Sequence, residues 1–561
     1  MATDKKVSEL PEETTPATAD KLLLVNASDA TKSYYVTYGN AIETPLSGKG
    51  YEYYLVVGTD SDSDYVCDGV ADEVQINAAI TALSTTGGII YIKQGTYNLA
   101  DNLNVVSDYD HISIIGAGAD TTILKLAANT TMTRLADQLP MLYCGGSYCS
   151  FKNFTLNGNK TNQTQDYQLG IFSNSQSNLL IDNVKLLNNG YRAIYLSSVT
   201  YSIIQNCYIS ACGDRGFELE TSENNKIINN TVINPVSHGI QLDTSSVNNI
   251  VANNRISGAG NFSIGVDSNS HENLIQGNMI SNSFDEGVQI TNSKFCKVIG
   301  NIIDTVTDDF GISVESRTTN NCDCTQIQDN FIASSDNSGI ALLGTRWAVC
   351  TGNTLYRTNV GGHANVGAIF TDSTATVNTI ANNIIVDDRT PKLHTWSILE
   401  GGGGDYNIIT GNQCDGYLTA AVSTVGASTL SQNNINEDKS WQAYTPTLTW
   451  TQGNGTIAGR YVRHRDTVHF AVKIVLGSTS TMNAGQHAIG LPTTSANNGV
   501  NYIFSGYMKK GGTLYYIGSA CAPNSSTAPF GQISNNTFWE SGLATWAAAD
   551  EIYLSGTYET A

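Results

Sequence analysis

The sequence predicts an all-β chain whose body is a right-handed single-stranded parallel β-helix, and three observations lead there. The first is an Asn that follows a short apolar strand again and again. It stands at Asn153, Asn183, Asn206, Asn230, Asn254, Asn278, Asn301, Asn330, Asn353, Asn383 and Asn412, spaced by 23–24 residues or stretched to 29–30. A coil of fixed length with variable loops is the mark of a solenoid. The second is a marker of Gly, apolar, any, apolar, as in Gly216-Phe217-Glu218-Leu219, Gly239-Ile240-Gln241-Leu242, Gly287-Val288-Gln289-Ile290 and Gly311-Ile312-Ser313-Val314. Its period of two puts one apolar set inward and the intervening residues on the surface. The third is composition: 52 Gly, 14% charged and 9% aromatic residues suit short strands joined by tight turns. Ile and Val dominate without a helical period, which disfavours a leucine-rich repeat and favours three short strands per coil. The Asn series is expected to form a ladder, each Asn taking a left-handed turn and bonding its neighbours above and below.

The pattern divides the chain into 1–50, 51–147, 148–435 and 436–561. In 51–147, Ile76, Ala79, Ile80 and Leu83 fall at i, i+3, i+4 and i+7, an amphipathic helix. A solenoid exposes unpaired backbone and core at its end, so this helix is expected to cap it. Residues 148–435 are the coils. In 436–561, Val468, Phe470, Val472 and Ile474 alternate with His469, Ala471 and Lys473, a half-buried strand of an expected antiparallel β-sandwich.

A formal net charge of −21 disfavours nucleic acid and anionic membranes as partners. The eleven cysteines are scattered; Cys322-Asp-Cys324 is too tight for a zinc arm, so buried free thiols and no metal site are expected. No nucleotide fingerprint, phosphate loop or Ser-His-Asp order is present, and no cofactor is expected. Met1-Ala-Thr-Asp-Lys-Lys lacks the apolar core of a signal peptide and no segment reads as a membrane span. The expectation is a protein made in a cytoplasm, without general secretion or membrane insertion.

The series Asp68-Gly69-Val70-Ala71-Asp72-Glu73, Ile76-Asn77, Gly87-Gly88-Ile89-Ile90-Tyr91-Ile92 and Gly95-Thr96-Tyr97 resembles the start of the pectate-lyase-like β-helix superfamily, common in bacteriophage tailspikes and tail fibres. The segments Val7-Ser8-Glu9-Leu10-Pro11 and Ala19-Asp20-Lys21-Leu22-Leu23-Leu24-Val25 resemble the short adaptor at the head of many such proteins. The resemblance implies a homotrimer on the virion tail. Its N-terminus would join tail or baseplate proteins, and its C-terminal module would trimerise the spike or bind the host. The implied ligand is a host cell-surface polysaccharide, bound and cleaved or bound only. A β-helical lyase or epimerase is the remaining alternative.

Aligning the coils on the Gly marker gives two outward columns. The first runs Tyr195, Glu218, Gln241, Gly265, Gln289, Ser313 and Ala341; the second runs Ser197, Glu220, Asp243, Asp267, Thr291, Glu315 and Leu343. Rungs lie about 4.8 Å apart, so Glu220, Asp243 and Asp267 stand on three successive rungs. Stacked like charges raise a pKa, as a general acid requires, and carboxylates about 5 Å or 6.5–9.5 Å apart serve retaining or inverting glycoside hydrolysis. Glu220, Asp243 and Asp267 are therefore the candidate catalytic residues, against the plainer reading of solvated acids or an ion site. Asp214, Arg215, Glu218, His238, Asp285, Glu286 and Glu315 are candidate substrate-binding residues, with Asp308 and Asp309 in the same turn. A lyase would use Arg215 or Arg317 as its base.

Overall fold

The computed structural model describes residues 21–25, 33–37 and 53–560, apart from 166, 318–321, 436–440, 465–466, 482–486, 535–536 and 540–546. Of the adaptor motifs, Val7–Pro11 lies outside the described residues, while Lys21–Val25 pairs antiparallel with Ser33–Thr37.

From Tyr54 to Gln432 the chain winds as a right-handed parallel β-helix with three long parallel sheets. The front sheet holds thirteen strands, from Leu103–Val105 through Phe217–Glu220 and Ile240–Asp243 to Ala420–Ser423. A second sheet of sixteen strands and a third of thirteen close the coil. Each strand pairs in parallel with its counterpart one turn away, as Phe217↔Ile240 and Glu220↔Asp243 show. Like residues therefore stack: Ile181, Ile204, Ile227, Val251, Ile275 and Val298 form one fully buried column of the second sheet. Each such side chain contributes roughly 1.5–3 kcal/mol by leaving water, and one continuous core runs from Val57 to Ala421.

The Gly marker has a steric cause. A Cβ on Gly216 would stand 2.5 Å from the carbonyl oxygen of Gly239, and one on Gly239 equally close to that of Ser263. At these two positions a side chain would force the backbone to shift, although Ala193 and Ser263 are accommodated elsewhere in the same column.

The Asn ladder departs from expectation in one respect. Asn153, Asn183 and Asn206 do take left-handed turns, with φ of 59°, 52° and 55°. From Asn230 onward the series moves one residue along. The left-handed position falls to Asn229, Asn253, Gly277, Gly300 and Asp329. Asn230, Asn254, Asn278, Asn301 and Asn330 turn inward and are buried. The Oδ1 of Asn254 accepts from both the backbone N–H and the side-chain amide of Asn230, at 2.9 and 3.1 Å, and the pattern repeats to Asn434. A second inward ladder, Asn225–Asn249–Asn273, runs beside it. Both ladders satisfy backbone groups at corners where the sheets end.

The helix Glu73–Ala82 covers the first coil with Ile76, Ala79 and Ile80, and Leu83 just beyond it is buried as well. Asn77 completes the cap: its Oδ1 accepts from the backbone N–H of Asn104 and its amide donates to the carbonyl of Asn102, at 2.9 and 2.8 Å. The outermost front strand thus finds its hydrogen bonds in the helix. All eleven cysteines are free and ten are buried. No helix among the described residues is long and apolar enough to cross a membrane. Beyond residue 440 the strands are antiparallel and form one hydrogen-bonded sheet, with Thr537–Trp539 branching off its main path. Val468, Phe470, Val472 and Ile474 face a separate core with Phe504, Ile517, Leu554 and Tyr558.

Candidate functional site

The first outward column is not a surface. Tyr195, Glu218, Gln241, Gln289 and Ser313 point away from the core, yet all are buried, Glu218 to 4% exposure. The cover comes from the turn preceding each strand, where Arg192, Arg215, His238, Phe262 and Glu286 occupy equivalent positions on successive coils. Arg215 reaches Glu218, and Gln289 donates to Glu286. Sequence alternation identified the side of the sheet correctly; the length of the covering side chains removed the solvent.

Around Asp214, Arg215 and Glu218 the charges are matched. The Arg192 guanidinium contacts Glu218 and lies 3.6 Å from Asp214; Arg215 lies 3.2 Å from Glu218 and 3.5 Å from Asp214. Arg192 also stacks on the rings of Tyr191 and Tyr195, each 4.6 Å away. Burial pushes the Glu218 carboxyl up, while the two arginines act against the rise. His238 takes contacts from Arg215 Nε at 3.3 Å and Ser237 Oγ at 2.8 Å. Burial and Arg215 hold its pKa down, at about 4. An open recess of about 440 Å³ lies over this group, lined by Tyr167, Gly190, Tyr191, Gly213, Asp214 and Arg215. Tyr167 meets Tyr191 edge to face at 5.2 Å, and Phe172 stacks on Tyr195 at 5.1 Å.

Glu220, Asp243 and Asp267 do occupy successive rungs and are half-buried. Glu220 accepts a hydrogen bond from the Tyr195 hydroxyl, which burial and Glu220 push up to about 12. Asp243 and Asp267 each accept from the next backbone N–H, at 2.7 and 2.6 Å. Burial raises the Asp267 pKa; the Ser268 N–H opposes the rise and Asp243 adds to it. Glu315 continues the row after Thr291 and pairs with Arg317 at 3.0 Å. That pairing raises the Arg317 pKa, and Arg215 is ion-paired too, so neither guanidinium is disposed to act as a base.

Asp285 and Glu286 stand apart from the Arg-bearing coils, in the turn before Gly287. With Asp309 one coil on, their carboxylate oxygens lie within 4.8 Å of one another. Burial, with Asp285 adding, pushes Glu286 up to about 8; burial and Asp285 push Asp309 up to about 6.

Sequence reasoning missed Tyr167, Tyr191 and Arg192. Arg192 was within reach, since Arg192-Ala193 lies 23 residues before Arg215-Gly216. Ala193 in place of the marker Gly hid the register. Tyr167 follows a lengthened turn where column alignment has no hold.

A family described as the right handed beta helix region matches residues 141–303. Of the candidate catalytic and substrate-binding acids, that stretch holds all but Glu315. No curated protein matches the chain. Among solved structures, the A-module of the Azotobacter vinelandii mannuronan C-5 epimerase AlgE6 aligns at 18% identity and a TM-score of 0.50, over 66% of this chain and 97% of that one. The pre-mature gene product 12 of bacteriophage phi29 aligns at 14% identity and a TM-score of 0.50, over 66% and 54%. The Dettilon tailspike protein gp208 aligns at 15% identity and a TM-score of 0.47, over 90% and 94%. At these identities the likeness speaks for the fold alone.

Proposed function

We propose that this chain is a receptor-binding spike or fibre of a phage tail that holds a host surface polysaccharide along its front sheet and hydrolyses it. The observation that carries the reading is the recess beside the acid row. Exposed Tyr167 and half-buried Tyr191 offer ring faces to the apolar side of a sugar, and Asp214 and Arg215 offer fixed hydrogen-bonding groups. Tyr195 links this group to Glu220, from which Asp243 and Asp267 continue rung by rung.

Hydrolysis needs one carboxyl that keeps its proton and one that has lost it. Asp267, with its raised pKa, is the proton donor; Asp243, one rung away, is the carboxylate that attacks or activates water, and Glu220 orients the sugar. Neighbouring rungs about 4.8 Å apart approach the roughly 5 Å of retaining enzymes. The adaptor-like N-terminal segment anchors the protein to the tail, and three copies form the spike. The likeness in fold to a mannuronan epimerase module is compatible with a polysaccharide ligand.

The test is to incubate the intact protein with capsule or O-antigen polysaccharide from candidate hosts and to measure binding and new reducing ends. Asp243→Asn and Asp267→Asn are expected to keep binding and to lose cleavage by about 10²-fold or more. Binding without any new ends in the native protein would favour a pure adhesin. Full cleavage in Glu220→Gln, Asp243→Asn and Asp267→Asn alike would remove the acid row from the reaction. An unsaturated sugar product would show a lyase. A monomeric mass in light scattering would refute the trimer.

A further inference from the structure

We propose that Asp285, Glu286 and Asp309 form a calcium site that clamps two successive coils of the β-helix. Asp285 and Glu286 come from one turn and Asp309 from the equivalent turn one coil on, and their ligand oxygens lie within 4.8 Å of one another. Calcium takes six to eight oxygen ligands in flexible geometry and accepts several carboxylates together, whereas magnesium demands a near-ideal octahedron and keeps most of its waters. All three donors are hard oxygens, the set that calcium prefers.

The second observation is Glu286 itself, 5% exposed. Its Oε1 takes both of its hydrogen bonds, from Gln289 at 3.0 Å and Ser313 at 3.3 Å. Its Oε2 is buried without a donor, and the Asp285 carboxyl lies within hydrogen-bonding range of the Glu286 carboxyl. Two acceptor oxygens in contact repel unless a proton or a cation lies between them. Among the described residues no Lys, Arg or His ion-pairs with Asp285, Glu286 or Asp309, and Asp308 and Asp336 add further negative charge around Asp309. Asn337, on the next coil, donates to Asp309 at 3.1 Å and fixes its carboxylate as an outer partner would. Water completes the coordination on the half-exposed side of Asp285 and Asp309.

This inference stands whether or not the chain binds a glycan, and its readout is the metal alone. The full-length protein, stripped with EDTA, is titrated with CaCl2 and with MgCl2 in a calorimeter near neutral pH. Expected are one saturable calcium site per chain, with Kd of about 0.1–1 mM as in extracellular modules, and magnesium binding at least about tenfold weaker. Asp285→Asn and Asp309→Asn, both half-exposed and suited to folding, are each expected to weaken calcium about tenfold or more, with unchanged circular dichroism. Glu286→Gln is the stronger variant if it folds. No saturable calcium binding by the native chain would overturn the site in favour of a shared proton. Equal binding of magnesium would overturn the calcium assignment. Full calcium affinity in both Asp variants would move the site elsewhere.

Discussion

In the turn before the front sheet, Tyr191, Arg192, Asp214 and Arg215 occupy the same two columns that Asp285, Glu286 and Asp309 occupy three coils further along. In the first region, two guanidinium groups lie between Asp214 and Glu218, with separations of 3.2–3.6 Å where the pairs stand clear. In the second, three carboxyls share a similar space, and among the described residues no Lys, Arg or His ion-pairs with them. Both regions bury an acid to about the same depth, Glu218 at 4% and Glu286 at 5% exposure. The consequences diverge. Glu218 rises against the opposition of Arg192 and Arg215, whereas Glu286 rises to about 8 with Asp285 pushing the same way. Burial raises both acids, and the charges beside each one decide whether that rise is opposed or reinforced.

The largest expected effect lies in the matched region. Arg192→Ala removes the closest counter-charge of buried Glu218 and strips packing from Tyr191 and Tyr195. Breaking such a pair from one side leaves a buried charge and is expected to destabilise the β-helix by about 4 kcal/mol. Adding Glu218→Gln should recover part of that loss, since the buried carboxylate, left with Arg215 alone, disappears with it. Calorimetric unfolding of both single variants and the double variant measures the coupling. A loss below about 1 kcal/mol would mean that the pair behaves like a solvated one and that the contrast between the regions is illusory.

Much of this architecture was legible beforehand because a coil repeats its own steric demands. The Gly marker records the close carbonyl of the next coil, and the row Glu220–Asp243–Asp267 followed from aligning it. The Asn series was legible as a ladder but not as two columns. The left-handed turn residue and the buried amide are adjacent in the chain and both accept Asn, so the change of column at Asn229-Asn230 leaves only a gap one residue longer. The burial of the first outward column was not legible at all. It depends on how far Arg192, Arg215 and Glu286 lean over the sheet, which no periodicity encodes. For the same reason Asp285 and Glu286 read as substrate-binding residues, with Asp309 in the same turn, and their mutual closeness was not legible.

A smaller effect should appear on acidification of the matched region. His238 packs against Phe262, faces Arg215 and Ser237, and feels Asp243 as its nearby acid. Its folded pKa of about 4 lies below the ordinary 6.5, so the unfolded chain takes up the proton first. Stability from this group is complete above pH 6.5 and is lost as the pH falls from there towards about 4. The full loss is on the order of 3 kcal/mol. His238→Gln keeps an acceptor for Arg215 and carries no titration. Its melting temperature should fall less steeply than that of the native protein between pH 6.5 and 4. Parallel curves would show that His238 is protonated as easily in the fold as outside it.

The smallest effect has the opposite sign and belongs to the unmatched region. Asp309→Asn removes one of the crowded charges and keeps an oxygen to accept from Asn337. In EDTA the variant is expected to be more stable than the native chain by on the order of 1 kcal/mol, because relief of like-charge repulsion has nothing to offset it. Removing a charge next to Glu218 costs stability, while removing one next to Glu286 adds it. Excess calcium should then reverse the order, since only the native carboxylate set gains from the ion. Melting curves in EDTA and in CaCl2 read both signs on one pair of proteins. A destabilised Asp309→Asn in EDTA would mean that the acids are already compensated within the fold. The two regions would then differ in composition but not in energetics.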